Sequence, residues 1–284
     1  MKKSAWLFYL LYIPGITLLF LYWQFPATHL KTFIIQQANQ ALPGLRLTFD
    51  RLSPALLPPA MEIHQIDVDA PPYAHARIQY ASIHPIWHRL ARAQAAIQIE
   101  AWVQDGRLTA DLISGLPPRI DRLIVSDFPL NAIKWGPALL LKPTSGMLEA
   151  TASYTFTNNQ HSGRATLGLS KLQINLPQLV PGLDTLAFSL ASAEIEWTGP
   201  SVQIHACRFS GRQIDGNISG KIMINRLLPN SRLQLSGDIK LHPELIAAVG
   251  KSMLQMVFPG KSLTSGPIPY TISGTADRPT FRVR

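Results

Sequence analysis

Three patterns of apolar and polar residues follow one another along this chain. The first is an unbroken apolar run, S-A-W-L-F-Y-L-L-Y-I-P-G-I-T-L-L-F-L-Y-W-Q-F-P over Ser4–Pro26, with no charged residue between Lys3 and His29. About 20 residues rising about 1.5 Å each span a hydrocarbon core of roughly 30 Å, so the run predicts a single transmembrane helix. The second pattern has the helical period. Leu30, Phe33, Ile34, Ala38 and Ala41 recur at spacings of three and four, which predicts an amphipathic helix ended by Pro43-Gly44. The third pattern starts at Leu45 and has a period of two, as half-buried strands do.

Most of the chain carries this third pattern. Leu45, Leu47 and Phe49 alternate with Arg46, Thr48 and Asp50, and Ser53-Pro54 and Pro58-Pro59 then interrupt. M-E-I-H-Q-I-D-V-D resumes as strand, with a register change between Ile63 and Ile66 that predicts a bulge. Arg77 to Ile83 is a further short strand. Ile97, Ile99, Ala101 and Val103 lead into Asp105-Gly106, a strong hairpin signal. After a strand over 120–125, the aperiodic stretch Asp127–Pro143 reads as the loop joining two halves, with room for one helical turn. Leu148, Ala150, Ala152, Tyr154 and Phe156 then alternate with Glu149, Thr151, Ser153 and Thr155. Strands continue to the end of the chain, interrupted by one expected helix over Pro243–Phe258, with Pro243 at its start and Pro259-Gly260 at its stop.

The expected architecture is mainly β: a single N-terminal transmembrane helix followed by a large, curved, mostly antiparallel sheet domain with few helices. Its parts are a cytoplasmic head and anchor (1–26), an amphipathic helix (27–43), a first β half (44–130) and a second β half (131–284) with one helix near 243–258. A recurrent apolar-x-Gly theme, in Ile218-Ser219-Gly220, Leu235-Ser236-Gly237 and Ile272-Ser273-Gly274, fits bulges in a bent sheet.

Orientation follows from charge. Lys2, Lys3 and the amino terminus precede the apolar run, which places them in the cytoplasm and the rest of the chain outside it. A cleaved signal peptide would have a shorter apolar core and small residues before the cut, where this chain has the bulky Phe25. The expected location is therefore the inner membrane of a bacterium, single-pass, with the bulk of the chain in the periplasm.

The net charge of +9, from 26 Lys and Arg against 17 Asp and Glu, suits anionic phospholipid, lipopolysaccharide or an acidic protein partner. Export disfavours nucleic acid. Cys207 is the only cysteine, so no intramolecular disulfide forms and a sheet core must hold the domain. It lies in an alternating run and reads as a small apolar residue.

Candidate chemistry is sparse. His84 and His88 stand four apart, but Pro85 lies between them and His75 is the nearest third candidate. Asp67 and Asp69 share a strand face and read as solvated. No G-x-S-x-G, P-loop or G-x-G-x-x-G occurs. No catalytic, cofactor-binding or metal-ligating residue is expected, and the chain reads as non-enzymatic.

Several stretches carry a family resemblance. F-D-R-L-S (49–53) precedes the proline-rich loop and M-E-I-H-Q-I-D-V (61–68). S-G-M-L-E-A-T-A-S-Y (145–154), G-R-A-T-L-G-L (163–169) and P-Y-T-I-S-G-T-A-D-R-P-T-F-R-V-R (269–284) follow. In these stretches and in its order of parts, the chain resembles the protein N family of type II secretion systems. That resemblance implies an inner-membrane-anchored periplasmic component acting through contacts with secretion-system proteins. The opening half also resembles AsmA-like proteins, which implies a groove-shaped sheet that binds or transfers lipid. The two readings separate on one feature: whether the helix near 243–258 seals the sheet's apolar face or leaves it open.

Overall fold

A computed structural model of the chain describes residues 12, 16, 26–41, 44–56, 58–115, 119–136, 142–157, 160–176, 183–225, 227–264 and 266–284. The expected membrane span over Ser4–Pro26 lies almost wholly outside the described residues. Among those described, no helix is long and apolar enough to cross a membrane.

The described chain opens with helix α1 (Ala27–Ala41) and strands β1 (Arg46–Leu56), β2 (Pro59–Ala70) and β3 (Ala74–Pro85). The short helix α2 (Trp87–Leu90) precedes β4 (Ala96–Val103), β5 (Gly106–Ile113), β6 (Arg119–Pro129) and β7 (Ile133–Trp135). Then come β8 (Lys142–Thr157), β9 (Gln160–Asn175), β10 (Thr185–Thr198), β11 (Ser201–Gly211), β12 (Ile214–Met223) and β13 (Arg232–Leu241). Helices α3 (Pro243–Val249) and α4 (Lys251–Val257) precede β14 (Ile268–Thr275) and β15 (Pro279–Val283).

Among the described residues these strands form one 15-stranded sheet in which each strand pairs with its neighbour in sequence, except that β6 pairs β8 while β7 pairs β3. Every pairing is antiparallel. The chain is thus mainly β, one large antiparallel sheet with few helices, as its alternation predicts. A meander of this kind has only short-range connections, so each hairpin can form on its neighbour.

The sheet has two ends. One, called lower here, carries the turns at 86–95, 199–200 and 276–278; the upper end carries those at 71–73, 104–105 and 212–213. The stretch expected to be a loop over 127–143 contains a 3-10 turn at Leu130–Ala132 and the strand β7. The reason is steric. β6 runs past the β4–β5 hairpin, so close that a Cβ on Gly106 would lie 2.7 Å from Phe128 Cα. β7 then fills the place beside Ala74, His75 and Ala76 that the shorter β4 leaves.

Two other expectations change. Pro54 does not stop β1, which continues to Leu56. β1 is the edge of the sheet, and an edge strand tolerates a residue without an N–H. The helix expected over 243–258 is two helices, because Gly250 between them has φ 90° and breaks the helical path.

Apolar side chains gather at two places. Leu30, Ile34 and Ile35 of α1 pack on Phe49, Leu52, Ile63, Ile66, Ala81 and Ala101. Phe33, expected on this buried face, is instead 61% exposed, and Ile35 takes the inward place. At the upper end, Leu245, Leu254 and Phe258 of the α3–α4 region pack on Leu241, Ile268, Leu176 and Leu183.

Candidate functional site

In an antiparallel ladder, residues directly opposite one another point to the same face. Following opposite partners strand by strand shows what each face presents. One line runs Ile63, Ala81, Ala101, Leu108, Val125, Ala150, Leu167, Ala193, Cys207, Ile218, Gly237 and Tyr270. The next runs Met61, Ile83, Ile99, Ala110, Leu123, Ala152, Ala165, Ile195, Ile204, Gly220, Leu235 and Ile272. Neither line contains a charged side chain. One face of the sheet is therefore apolar from β2 to β14.

Bulges keep these lines in step. Ladders shift register between β5 and β6, β6 and β8, β8 and β9, β10 and β11, and β11 and β12. At the first side, Gln65 has φ 52°. The bulge expected there is not formed: β2 keeps one register with β1 and with β3 across Ile63–Ile66. It is the left-handed backbone at Gln65 that breaks the alternation, so that Ile63 and Ile66, three apart, both reach the buried cluster.

Glycines open space on this face for large neighbours. Gly220 stands opposite Leu235, Gly237 opposite Ile218, and Gly274 opposite Leu233. A Cβ on Gly163 would lie 2.2 Å from the Trp197 ring, and one on Gly216 would lie 2.6 Å from the Phe209 ring. At the glycines of the apolar-x-Gly theme the close neighbours are chiefly backbone: a Cβ would lie 2.2 Å from the Gln234 carbonyl oxygen at Gly220, 1.9 Å from that of Asn217 at Gly237 and 2.7 Å from that of Arg278 at Gly274.

Cover over this face is uneven. Under α1, Ile63, Ala81 and Ala101 are buried, and near α3 and α4, Leu241, Ile268 and Tyr270 are buried. Between them Ala150, Leu167, Ala193, Cys207, Ile195 and Ile204 are only half-buried. The two C-terminal helices thus pack at the upper end and leave the middle strands open. At the lower end the apolar face continues into a hollow of about 340 Å³ lined by Pro85, Leu90, Ala96, Ile97, Leu112 and Ile113, within the range of about 300–1,000 Å³ usual for ligand pockets.

Burial raises the pKa of the Cys207 thiol. It likewise pushes the Tyr270 hydroxyl up to about 12, aided by the nearby Cys207 and Asp238. Tyr270 donates to the Asn217 carbonyl at 3.0 Å. Both groups are neutral at ordinary pH, so the apolar face carries no charge from them.

The opposite face is polar and internally paired. Asp67 accepts from Arg77 Nε at 2.7 Å, and this bond, partly offset by desolvation, holds its carboxyl below the usual range. Asp69 bonds the His75 ring. Arg107 donates to Glu100 at 2.9 Å, and His205 bonds Glu196 at 3.0 Å. Each aspartate of the Asp67–Asp69 pair thus faces a basic residue on β3, an arrangement of ion pairs.

The candidate histidines are dispersed. His84 bonds the Ser82 hydroxyl at 2.8 Å on β3, His88 sits in α2, and His75 lies at the other end of β3 beside Asp69. Among the described residues no group of three His, Cys, Asp or Glu side chains could hold a metal ion.

Ser210, Asp215 and His242 do come together. Ser210 Oγ and His242 Nε2 both lie 2.8 Å from the Asp215 carboxylate. The hydroxyl bonds the acid and not the imidazole, so the trio lacks the base–nucleophile contact of a hydrolase. It ties the β11–β12 turn to the start of α3. Sequence reasoning missed this trio and left undecided whether the apolar face is covered or open. Alternation marks which residues share a face, but not what lies over them.

No protein-family model matches the chain, and neither a curated protein nor a solved structure matches it.

Proposed function

We propose that this chain is a non-enzymatic, membrane-anchored module that holds lipid acyl chains along the apolar face of its sheet. The observation that carries this reading is the half-buried run Ala150, Leu167, Ala193 and Cys207 in the middle of a face without charge. A soluble sheet normally covers such a face with a second layer. Among the described residues the helices pack only at its margins. Bulges in the ladders, together with strand twist, would bend so wide a meander into a groove. The apolar run over Ser4–Pro26 supplies the anchor in the inner membrane, with the sheet in the periplasm.

The test compares adjacent residues on opposite faces. A photo-crosslinking amino acid at Ile195 in the full chain, irradiated in bacterial membranes, should give phospholipid or lipopolysaccharide adducts by mass spectrometry. The same group at Glu194 should give none. Absence of lipid at 195, or equal yields at both positions, overturns the reading.

A second reading, a component of a type II secretion system acting by protein contacts, is favoured by the resemblance over 49–68, 145–169 and 269–284. The last of these stretches forms β14 and the edge strand β15, whose residues Pro279–Arg282 are exposed. An exposed edge can take a strand from a partner. Under this reading a crosslinker at Thr280 yields a protein adduct, and its absence counts against it.

A further inference from the structure

We propose that the lower end of the sheet, around Trp87–Leu90, docks onto an anionic phospholipid bilayer, so that acyl chains reach the apolar face through that end. The inference rests on the lipid-holding reading above and adds where the lipid comes from.

The first support is the direction of α1. Asn39 accepts the backbone N–H of Leu47 at 2.8 Å, while Lys31 Nζ donates to the carbonyl of Asp50 at 2.8 Å. As the helix number falls, the β1 number rises, so α1 runs antiparallel to β1. Its first residue therefore points to the lower end, and the apolar run over 4–26 joins the sheet there.

The second support is side-chain exposure. Trp87 is 60% exposed, Leu90 40% and Ile97 40%. All three sit at the mouth of the apolar hollow or on the helix beside it. Tryptophan and leucine at a loop tip gain by partitioning into the headgroup and upper acyl region. The upper end also exposes Met256, but the chain from residue 26 does not arrive there.

The third support is charge. The same end carries Arg89, Arg92, Arg119 and Arg122, and among the described residues only Arg89 pairs with a carboxylate, that of Asp121 at 2.6 Å. The other three are exposed. Exposed arginines around an apolar tip match an anionic headgroup layer.

The experiment uses the full chain in nanodiscs of phosphatidylcholine and phosphatidylglycerol at three to one. An environment-sensitive fluorophore is attached at Leu90→Cys or at Met256→Cys, each in a Cys207→Ser background. Quenching by lipid spin-labelled near the headgroup should be at least threefold stronger at position 90 than at 256. Equal or reversed quenching, or failure of the chain to enter the discs, overturns the docking. Removing phosphatidylglycerol should reduce the quenching at 90 at least twofold; no reduction overturns the anionic preference.

A third label, on the native Cys207 with spin label deep in the acyl chain, separates the two readings. Quenching at 90 without quenching at 207 refutes lipid on the apolar face and leaves docking standing. The converse refutes docking and leaves the lipid-holding face.

Discussion

The side-chain carbonyl of Asn39 accepts the backbone N–H of Leu47 at 2.8 Å, joining the last turns of α1 to the start of β1. This bond sets the helix along the first strands, where Leu30, Ile34 and Ile35 close one side of the apolar face. Asn39→Ala would leave that N–H without its partner. The expected cost is about 1 kcal/mol, read as a lowered midpoint of chemical denaturation with unchanged secondary structure. An unchanged midpoint would show that apolar packing alone seats the helix.

Gly237 has backbone close above it. A Cβ there would lie 1.9 Å from the Asn217 carbonyl oxygen and 3.1 Å from the Tyr270 hydroxyl. Gly168, by contrast, has nothing nearer than 3.8 Å. Gly237→Ala should therefore destabilise by about 2–3 kcal/mol through overpacking, while Gly168→Ala stays within about 0.5 kcal/mol of the natural chain. Thermal denaturation of the two variants side by side checks this, and similar effects at both sites would refute the account of the glycine positions.

How much of this was legible beforehand depends on what alternation encodes. The run from Leu148 to Phe156 announced β8 and its two faces, because period two is a property of a single strand. The break in alternation between Ile63 and Ile66 was legible for the same reason, but its cause is the left-handed backbone at Gln65, φ 52°, and not the expected bulge, since the register is the same on both sides. Pro54 misled, since its tolerance depends on β1 being an edge, and strand order is not local information. Phe33 misled because a helix's apolar face is wider than the strip its partner covers. The open middle of the sheet was beyond the sequence for a related reason. Leu167 and Ile63 alternate alike, yet only Ile63 lies in the cluster on which α1 packs. Whether a helix comes to rest on a strand is decided by the connections at its ends.

Asp215 gives a pH dependence. Burial raises its pKa, but hydrogen bonds from Ser210, the Gly211 N–H and His242 outweigh that and hold the carboxyl below its ordinary value. An unfolded aspartate titrates near about 3.9. The folded value is lower, so these bonds stabilise the protein above that pH and the contribution disappears as pH falls through the folded value. Asp215→Asn removes the ionisation. The gap in melting temperature between the natural chain and this variant should be constant above about pH 5 and should narrow as the pH falls below about 4. A gap that does not change with pH would show that the carboxylate charge is not what holds the β11–β12 turn to α3.

Leu167 and Thr151 test the two faces of one sheet region. Leu167 lies opposite both Ala150 and Ala193, half-buried on the apolar face, while Thr151 points to the other face and is exposed. A glutamate at either site can keep its carboxylate hydrated in the lipid-free protein, so both Leu167→Glu and Thr151→Glu should fold with near-natural melting temperatures. With lipid in place the two differ. An acyl chain over position 167 would strip water from the new carboxylate, and an unpaired charge in hydrocarbon costs several kcal/mol. Since about 1.4 kcal/mol is a tenfold change in affinity, Leu167→Glu should carry at least tenfold less phospholipid after purification from membranes, by mass spectrometry. Thr151→Glu should carry the natural amount. Full lipid occupancy in a folded Leu167→Glu protein would place the lipid elsewhere and end the case for the apolar face as its binding surface.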